Sequence, residues 1–166
     1  LDLTTHAAGP GAARILADQG AEVIKVEPLE GDVWRAQAQM LGFPIEDTET
    51  PCFDMLNGNK KFLAVDLKSE QGKEIFHRAL ESADVLITSY RDSALKKLGI
   101  SYEQLHEKYP RLVYGHVKGY GEKGPEAERP GYDMVTYFAR SGIMIDTVAE
   151  GQLPLLNIGG IGGLDS

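Results

Sequence analysis

Gly9-Pro10-Gly11 is followed by Ala12, Ala13, Ile15 and Leu16, and then by Gly20. This pattern takes a strand end through a tight turn into a short helix, with Gly20 placed to stop it. Pro10 suits a first helical turn, because its missing N–H would be unpaired there in any case. Free N–H groups at such a helix start favour a phosphate or a carboxylate, and the glycines let it come close. Glu27 closes the next strand, Val23–Val26, where a dinucleotide-binding fold keeps an acid for the ribose. The third glycine of the Gly-x-Gly-x-x-Gly fingerprint is missing. Three readings therefore stand: an anion site, a nucleotide-dependent dehydrogenase, or a tight strand–helix turn without a ligand.

Other groups able to do chemistry sit at predicted strand ends. Lys60-Lys61 reads either as a solvated strand entry or as a pair of cations beside a ligand. Ser89-Tyr90-Arg91 leaves the carboxyl end of an apolar strand, where ligands gather in open α/β sheets. Lys118-Gly119-Tyr120-Gly121 leaves the end of another. His6, His77, His106 and His116 are scattered, and no Cys/His cluster has zinc spacing. The single cysteine, Cys52, excludes an internal disulfide framework and reads as structural rather than catalytic.

The elements that must position these groups follow from the pattern. Strands are predicted at Val23–Val26, Phe62–Asp66, Val85–Thr88 and Leu112–Val117, with a first strand before the glycine turn. Ser69 caps a helix over 70–82 with Ile75, Phe76, Ala79 and Leu80 inside. A short helix at Ala94–Leu98 ends at Gly99, and Ser101…Gln104 has capping-box spacing for the next. Segment 28–61 is irregular, with a short helix at Val33–Leu41 and an acidic patch, Glu46-Asp47-Thr48-Glu49. Loop 122–130 is read as mobile, and Gly131-Tyr132-Asp133 opens a helix through Ser141. Strands alternating with helices mean an α/β fold with a mainly parallel sheet and right-handed crossovers. The 166 residues suit one domain with a real core. A formal charge of −8 argues against general nucleic-acid binding, while a small anion needs only a local basic cluster. No run of about 18 apolar residues is present, so no spanning helix is expected. No signal peptide is visible. Both ends read as cut, since Leu1 lies inside a strand pattern and Ser166 follows a glycine run.

Several phrases occur in a telling order: Leu-Asp-Leu-Thr…Ala-Gly-Pro-Gly, Leu-Ala-Asp-Gln-Gly-Ala-Glu-Val-Ile-Lys-Val-Glu, Asn59-Lys60-Lys61, Ala94-Leu95-Lys96-Lys97-Leu98-Gly99, Pro110-Arg111-Leu112-Val113-Tyr114 and Gly119-Tyr120-Gly121…Pro130-Gly131-Tyr132-Asp133. Together they resemble the class III coenzyme A transferases, the family of formyl-CoA transferase, carnitine-CoA transferase and 2-methylacyl-CoA racemase. The resemblance runs from Leu1 to about Asn157. It implies a Rossmann-like large domain of which residues 1–166 are the N-terminal portion, with the sheet incomplete without the rest of the chain. It also implies a cytoplasmic enzyme, an interlocked homodimer, no tightly bound cofactor, and acyl-CoA plus a carboxylic acid as substrates, with neither nucleic acid nor membrane as a partner.

The resemblance further implies a mechanism. An aspartate attacks the acyl-CoA thioester and releases the CoA thiolate. The mixed anhydride is attacked by that thiolate or by the acceptor acid, and CoA returns to the acyl-aspartate. The matching glycine phrase is Gly159-Gly160-Ile161-Gly162-Gly163. An ungapped match places Gly163 at the nucleophile, and a short insertion places Asp165 there. Asp165 is the residue we carry forward, a plain helix N-cap being its bland alternative. CoA contacts map by position onto Lys97, Ser89, Tyr90, Arg91, Lys118 and Arg35, each of which is more often a solvated or structural residue when taken alone. Ala7 stands where some transferases have a polar group near the acyl chain. Tyr132 stands where the racemase branch has a histidine. A phenol, with a reference pKa of about 10, is a poor base at neutral pH, so Tyr132 favours transfer over racemisation. The phrase Pro51-Cys52-Phe53-Asp54-Met55…Asn57-Gly58-Asn59-Lys60 looks like the branch acting on 2-hydroxy acids and aryl acids. A CoA-binding homologue that has lost its nucleophile, and a racemase, are the other readings.

Overall fold

The computed structural model describes residues 1–36, 39, 42 and 50–153. Asp165, the glycine run, the acidic patch at 46–49 and the far part of the predicted 33–41 helix lie outside the described residues. The described chain forms two compact units, Leu1–Val117 and a second beginning at Lys118.

The first unit is a five-stranded sheet. Its strands are β1 (Asp2–Leu3), β2 (Ile24–Glu27), β3 (Lys61–Ala64), β4 (Val85–Thr88) and β5 (Val113–His116). All pairings are parallel and the order is β3-β2-β1-β4-β5. That is the parallel α/β sheet expected from the alternating elements, in the Rossmann-like form that the resemblance implies. The helices are α1 (Ala8–Asp18), α2 (Pro51–Asn57), α3 (Glu70–Leu80), α4 (Asp92–Leu98) and α5 (Tyr102–Lys108), with a 3-10 turn at Val33–Ala36.

Local chemistry explains the boundaries. Helix α1 ends in a Schellman arrangement, with Gly20 N–H bonded to Ala17 O and Ala21 N–H to Leu16 O. Ser69 Oγ accepts the Gly72 amide at 3.0 Å and starts α3. Gln104 Oε1 accepts the Ser101 amide at 3.0 Å, completing the box that opens α5.

Successive strand residues face opposite sides of the sheet. One side carries the main core, with Leu3, Val26, Phe76, Leu80, Leu86, Leu95, Ile100 and Leu105 all buried. A fully buried Phe or Leu of this kind stabilises the fold by roughly 1.5–3 kcal/mol. The other side packs Ala13 and Ala17 of α1 against Val23 and Ile87. That side also buries charge, which the sequence reading did not anticipate. Lys25 and Lys60 have fully buried side chains, Lys25 lying 2.8 Å from Asp32 and Lys60 lying 2.8 Å from Asp2. Lys60 also donates to Pro10 O at 2.8 Å and to Asn57 Oδ1 at 2.9 Å. So Lys60 ties β1, α1 and α2 together, which accounts for it without a ligand. Lys61 pairs with Glu22 on the surface.

Among its described residues the second unit holds a π-helical stretch, Met134–Ala139, and a short helix α6, Ile143–Asp146. An ordinary helix had been expected through Ser141. The winding is wider, and the Thr136 hydroxyl donates to Tyr132 O at 2.8 Å within it. Gly119 and Gly131 meet so closely that a Cβ on Gly119 would lie 2.5 Å from the Gly131 Cα. That contact closes the base of loop 122–130, and Glu126 pairs there with Arg129 and Arg140.

Candidate functional site

The order β3-β2-β1-β4-β5 reverses direction between β1 and β4. Such a switch point, outside the carboxyl ends of the strands, is where open α/β sheets gather ligands. The β1 loop, Thr4–Ala7, and the β4 loop, Ser89–Arg91, are joined by one hydrogen bond, Thr5 N–H to Ser89 Oγ at 3.0 Å. His6 in the first loop adopts φ +65°, a conformation that costs a non-glycine residue on the order of 1 kcal/mol and clusters at functional sites. Its ring lies 5.9 Å from that of Trp34, and Trp34 Nε1 donates to Cys52 O at 2.9 Å.

A cleft of roughly 270 Å³ opens beside this junction, over the carboxyl ends of β1, β2 and β3. Leu3, Val26, Val65 and Leu98 supply apolar surface, and Tyr90 contributes from the β4 loop. Glu30, Asp66 and Lys68 give it a polar margin. Burial, with the Asp32 charge nearby, pushes the Tyr90 phenol above its ordinary value, so it stays a neutral hydroxyl. An apolar slot with a few polar groups suits a flat, partly charged organic ligand.

Glu27 also borders the cleft, but both of its oxygens are engaged. Arg35 Nη2 reaches Oε1 at 2.7 Å, while Arg35 Nε and the Asp32 amide reach Oε2 at 3.0 and 2.9 Å. Burial would raise this carboxyl, yet the Arg35 bond, the Asp32 amide and the charges of Arg35 and Lys25 outweigh it and hold it below the ordinary carboxylate value. Glu27 is therefore committed to the fold rather than offered to a ribose. The Arg35 guanidinium also stacks 3.8 Å from the centroid of Phe53.

The remaining expected residues are placed as follows. Ser89 and Tyr90 lie at the junction, and exposed Arg91 precedes α4. Lys97 is exposed in the last turn of α4. Ala7 precedes α1, half-buried. Gly9 of the anticipated anion turn faces inward: a Cβ there would lie 2.5 Å from Thr4 Cβ. Lys118 and Tyr132 belong to the second unit, half-buried and exposed respectively. The cleft residues Pro28, Leu29 and Lys68 were not singled out from sequence. Their signal was position alone, directly after β2 and β3. Among the described residues no group of His, Cys, Asp and Glu could hold a metal ion.

The model of CoA-transferase family III matches residues 1–161. The chain belongs to CoA-transferase family III. It is 43% identical over 162 residues to the (R)-2-hydroxy-4-methylpentanoate CoA-transferase of Clostridioides difficile, and 44% identical over 162 residues to the cinnamoyl-CoA:phenyllactate CoA-transferase of Clostridium sporogenes. Each match covers 98% of this chain but only 41% and 39% of those proteins. Among solved structures, a CAIB/BAIF family protein from Brucella suis superposes with a TM-score of 0.83 at 34% identity, over 98% of this chain and 43% of that one. The family III chain described here thus spans about two-fifths of its relatives' length, and no described helix is long and apolar enough to cross a membrane.

Proposed function

We propose that this chain is the N-terminal portion of the large domain of an acyl-CoA:carboxylate CoA-transferase acting on 2-hydroxy or aryl acids. The observation that carries the reading is the cleft at the strand ends, bounded by Tyr90 and Lys68, in a chain of CoA-transferase family III. The adenine end of CoA fits the apolar slot between Leu98, Val65 and Tyr90, with Lys68 and the exposed Lys97 and Arg91 as cations for its phosphates. Ser89, Arg35 and Ala7 are carried with them as residues around the ligand, Arg35 acting by holding Glu27, while Lys118 and Tyr132 are carried on the family likeness alone. The 2-hydroxy or aryl acid rests on the two clostridial relatives, whose names specify such acids.

In the proposed chemistry an Asp165 carboxylate oxygen attacks the thioester carbonyl. The C–S bond breaks, the thiolate leaves, and an acyl-aspartyl anhydride forms. The thiolate then attacks the aspartyl carbonyl and releases the donor acid. The acceptor carboxylate displaces the thiolate again, and the thiolate finally takes the new acyl group, regenerating Asp165. Glycine N–H groups beside Asp165 would hold the oxyanion. We also infer a cytoplasmic, interlocked homodimer with no tightly bound cofactor, on the family likeness.

The test is hydroxylamine trapping on the full-length protein with a panel of acyl-CoA thioesters, read by mass spectrometry. A hydroxamate at Asp165, absent from Asp165→Asn, is expected. CoA binding without an adduct would favour a non-catalytic homologue with Gly163 at the nucleophile position. Exchange of the α-proton without an acceptor acid would indicate a racemase. No CoA binding would sink the proposal.

A further inference from the structure

His116 ends β5, and its imidazole reaches the β4 loop. Nε2 lies 2.7 Å from the Tyr90 carbonyl oxygen, and Nδ1 lies 3.6 Å from Asp92 Oδ1. A carbonyl oxygen only accepts, so Nε2 carries the hydrogen and donates it. The His116 side chain is 9% exposed, which leaves water little access to replace that bond. The ladder places Thr88 opposite His116, and Val117 N–H continues it to Thr88 O at 2.9 Å. On the other flank Ser89 is held by the Thr5 amide. The segment Ser89–Asp92 is therefore clamped from both neighbouring strands, by Ser89 from the β1 side and by His116 from the β5 side. Tyr90 lines the cleft, and Asp92 opens the helix whose Leu98 lines it too.

We propose that His116 is a positioning residue for the nucleotide cleft: its Nε2–H fixes the Tyr90 carbonyl, and so fixes the wall against which CoA binds. This rests on the cleft being the CoA nucleotide site. His116 acts through the Tyr90 carbonyl rather than by touching CoA. Its loss weakens CoA binding and raises KM while kcat holds, because uniform binding is what it supports.

The experiment compares His116→Ala, His116→Gln and Tyr90→Ala in the full-length protein, with free CoA binding by calorimetry and steady-state kinetics with an acyl-CoA. A glutamine side-chain amide can replace the Nε2–H donor and alanine cannot. His116→Ala is expected to weaken CoA binding and raise KM by about fivefold, the worth of one ordinary hydrogen bond, with kcat within about twofold. His116→Gln is expected to restore most of the loss. Should His116→Ala fail to fold, His116→Leu fills similar space without a donor and takes its place. Equal CoA affinity in the alanine (or leucine) and glutamine variants would overturn the proposal, as would a fall in kcat at constant KM. Those results count against His116 alone when Tyr90→Ala weakens CoA binding. If Tyr90→Ala leaves CoA affinity unchanged, or the wild-type protein binds no CoA, the cleft reading fails and this inference falls with it.

Discussion

Burying Lys60 beside Asp2 takes two charges out of water and repays them with hydrogen bonds from one ammonium to three oxygens. Burial draws that ammonium below the ordinary lysine value, and Asp2 pulls it back up. Removing one partner leaves the other charged and unpaired. Lys60→Ala is therefore expected to lower unfolding stability by about 3–5 kcal/mol in a denaturant titration, far more than Lys61→Ala on the surface. Glu27 gives a pH signature instead. Its folded pKa is lowered, so its contribution is present above the ordinary glutamate value and lost as pH falls through the lower folded value. Stability of the wild-type protein should drop below about pH 4.5, and Glu27→Gln should flatten that part of the curve, as thermal melts between about pH 5 and 3 would show. An unchanged slope would mean that Arg35 and the Asp32 amide do not hold this carboxylate. None of these pairings was legible in the sequence. Lys60 reads as a strand-entry cation and nothing local marks Lys25, because the partners that neutralise them, Asp2 and Asp32, lie 58 and 7 positions away.

At the scale of elements the sequence was more informative. Helix starts and stops are local events, and Ser69, Gly99 and the Ser101–Gln104 box all act where the pattern placed them. The purpose of the first glycine turn was not legible, because close packing is a contact between distant atoms. Gly9 brings α1 against Thr4, whose hydroxyl and amide bond Asp2. Gly9→Ala should cost about 1–3 kcal/mol by overpacking, measured by denaturant unfolding, whereas Gly11→Ala, whose added Cβ would meet only a Leu56 methyl at 3.8 Å, should change little. Both positions lie in α1, where replacing glycine by alanine favours the helix, so a loss at Gly9 no larger than that at Gly11 would mean that the Thr4 contact does not decide.

For the whole molecule, the rival dinucleotide reading turns on Glu27. An acid occupied by Arg35 and a backbone amide cannot also take two ribose hydroxyls without losing those bonds. The full-length protein is therefore expected to bind CoA and to show no NAD binding at millimolar concentration in calorimetry; NAD binding with no CoA binding would reverse the assignment. The amino-acid sequence alone determined the α/β class, the mainly parallel sheet, the helix ends at Gly20, Ser69, Gly99 and Ser101, and the family likeness. Each of these is carried by residues near one another in the chain, through side-chain periodicity, capping and turn chemistry. Only the tertiary structure decided which cations lie inside the fold, that Gly9 packs against Thr4, and that Tyr90, Val65 and Leu98 share one cleft. Those outcomes depend on the strand order β3-β2-β1-β4-β5, which brings segments far apart in the chain to the same edge of the sheet.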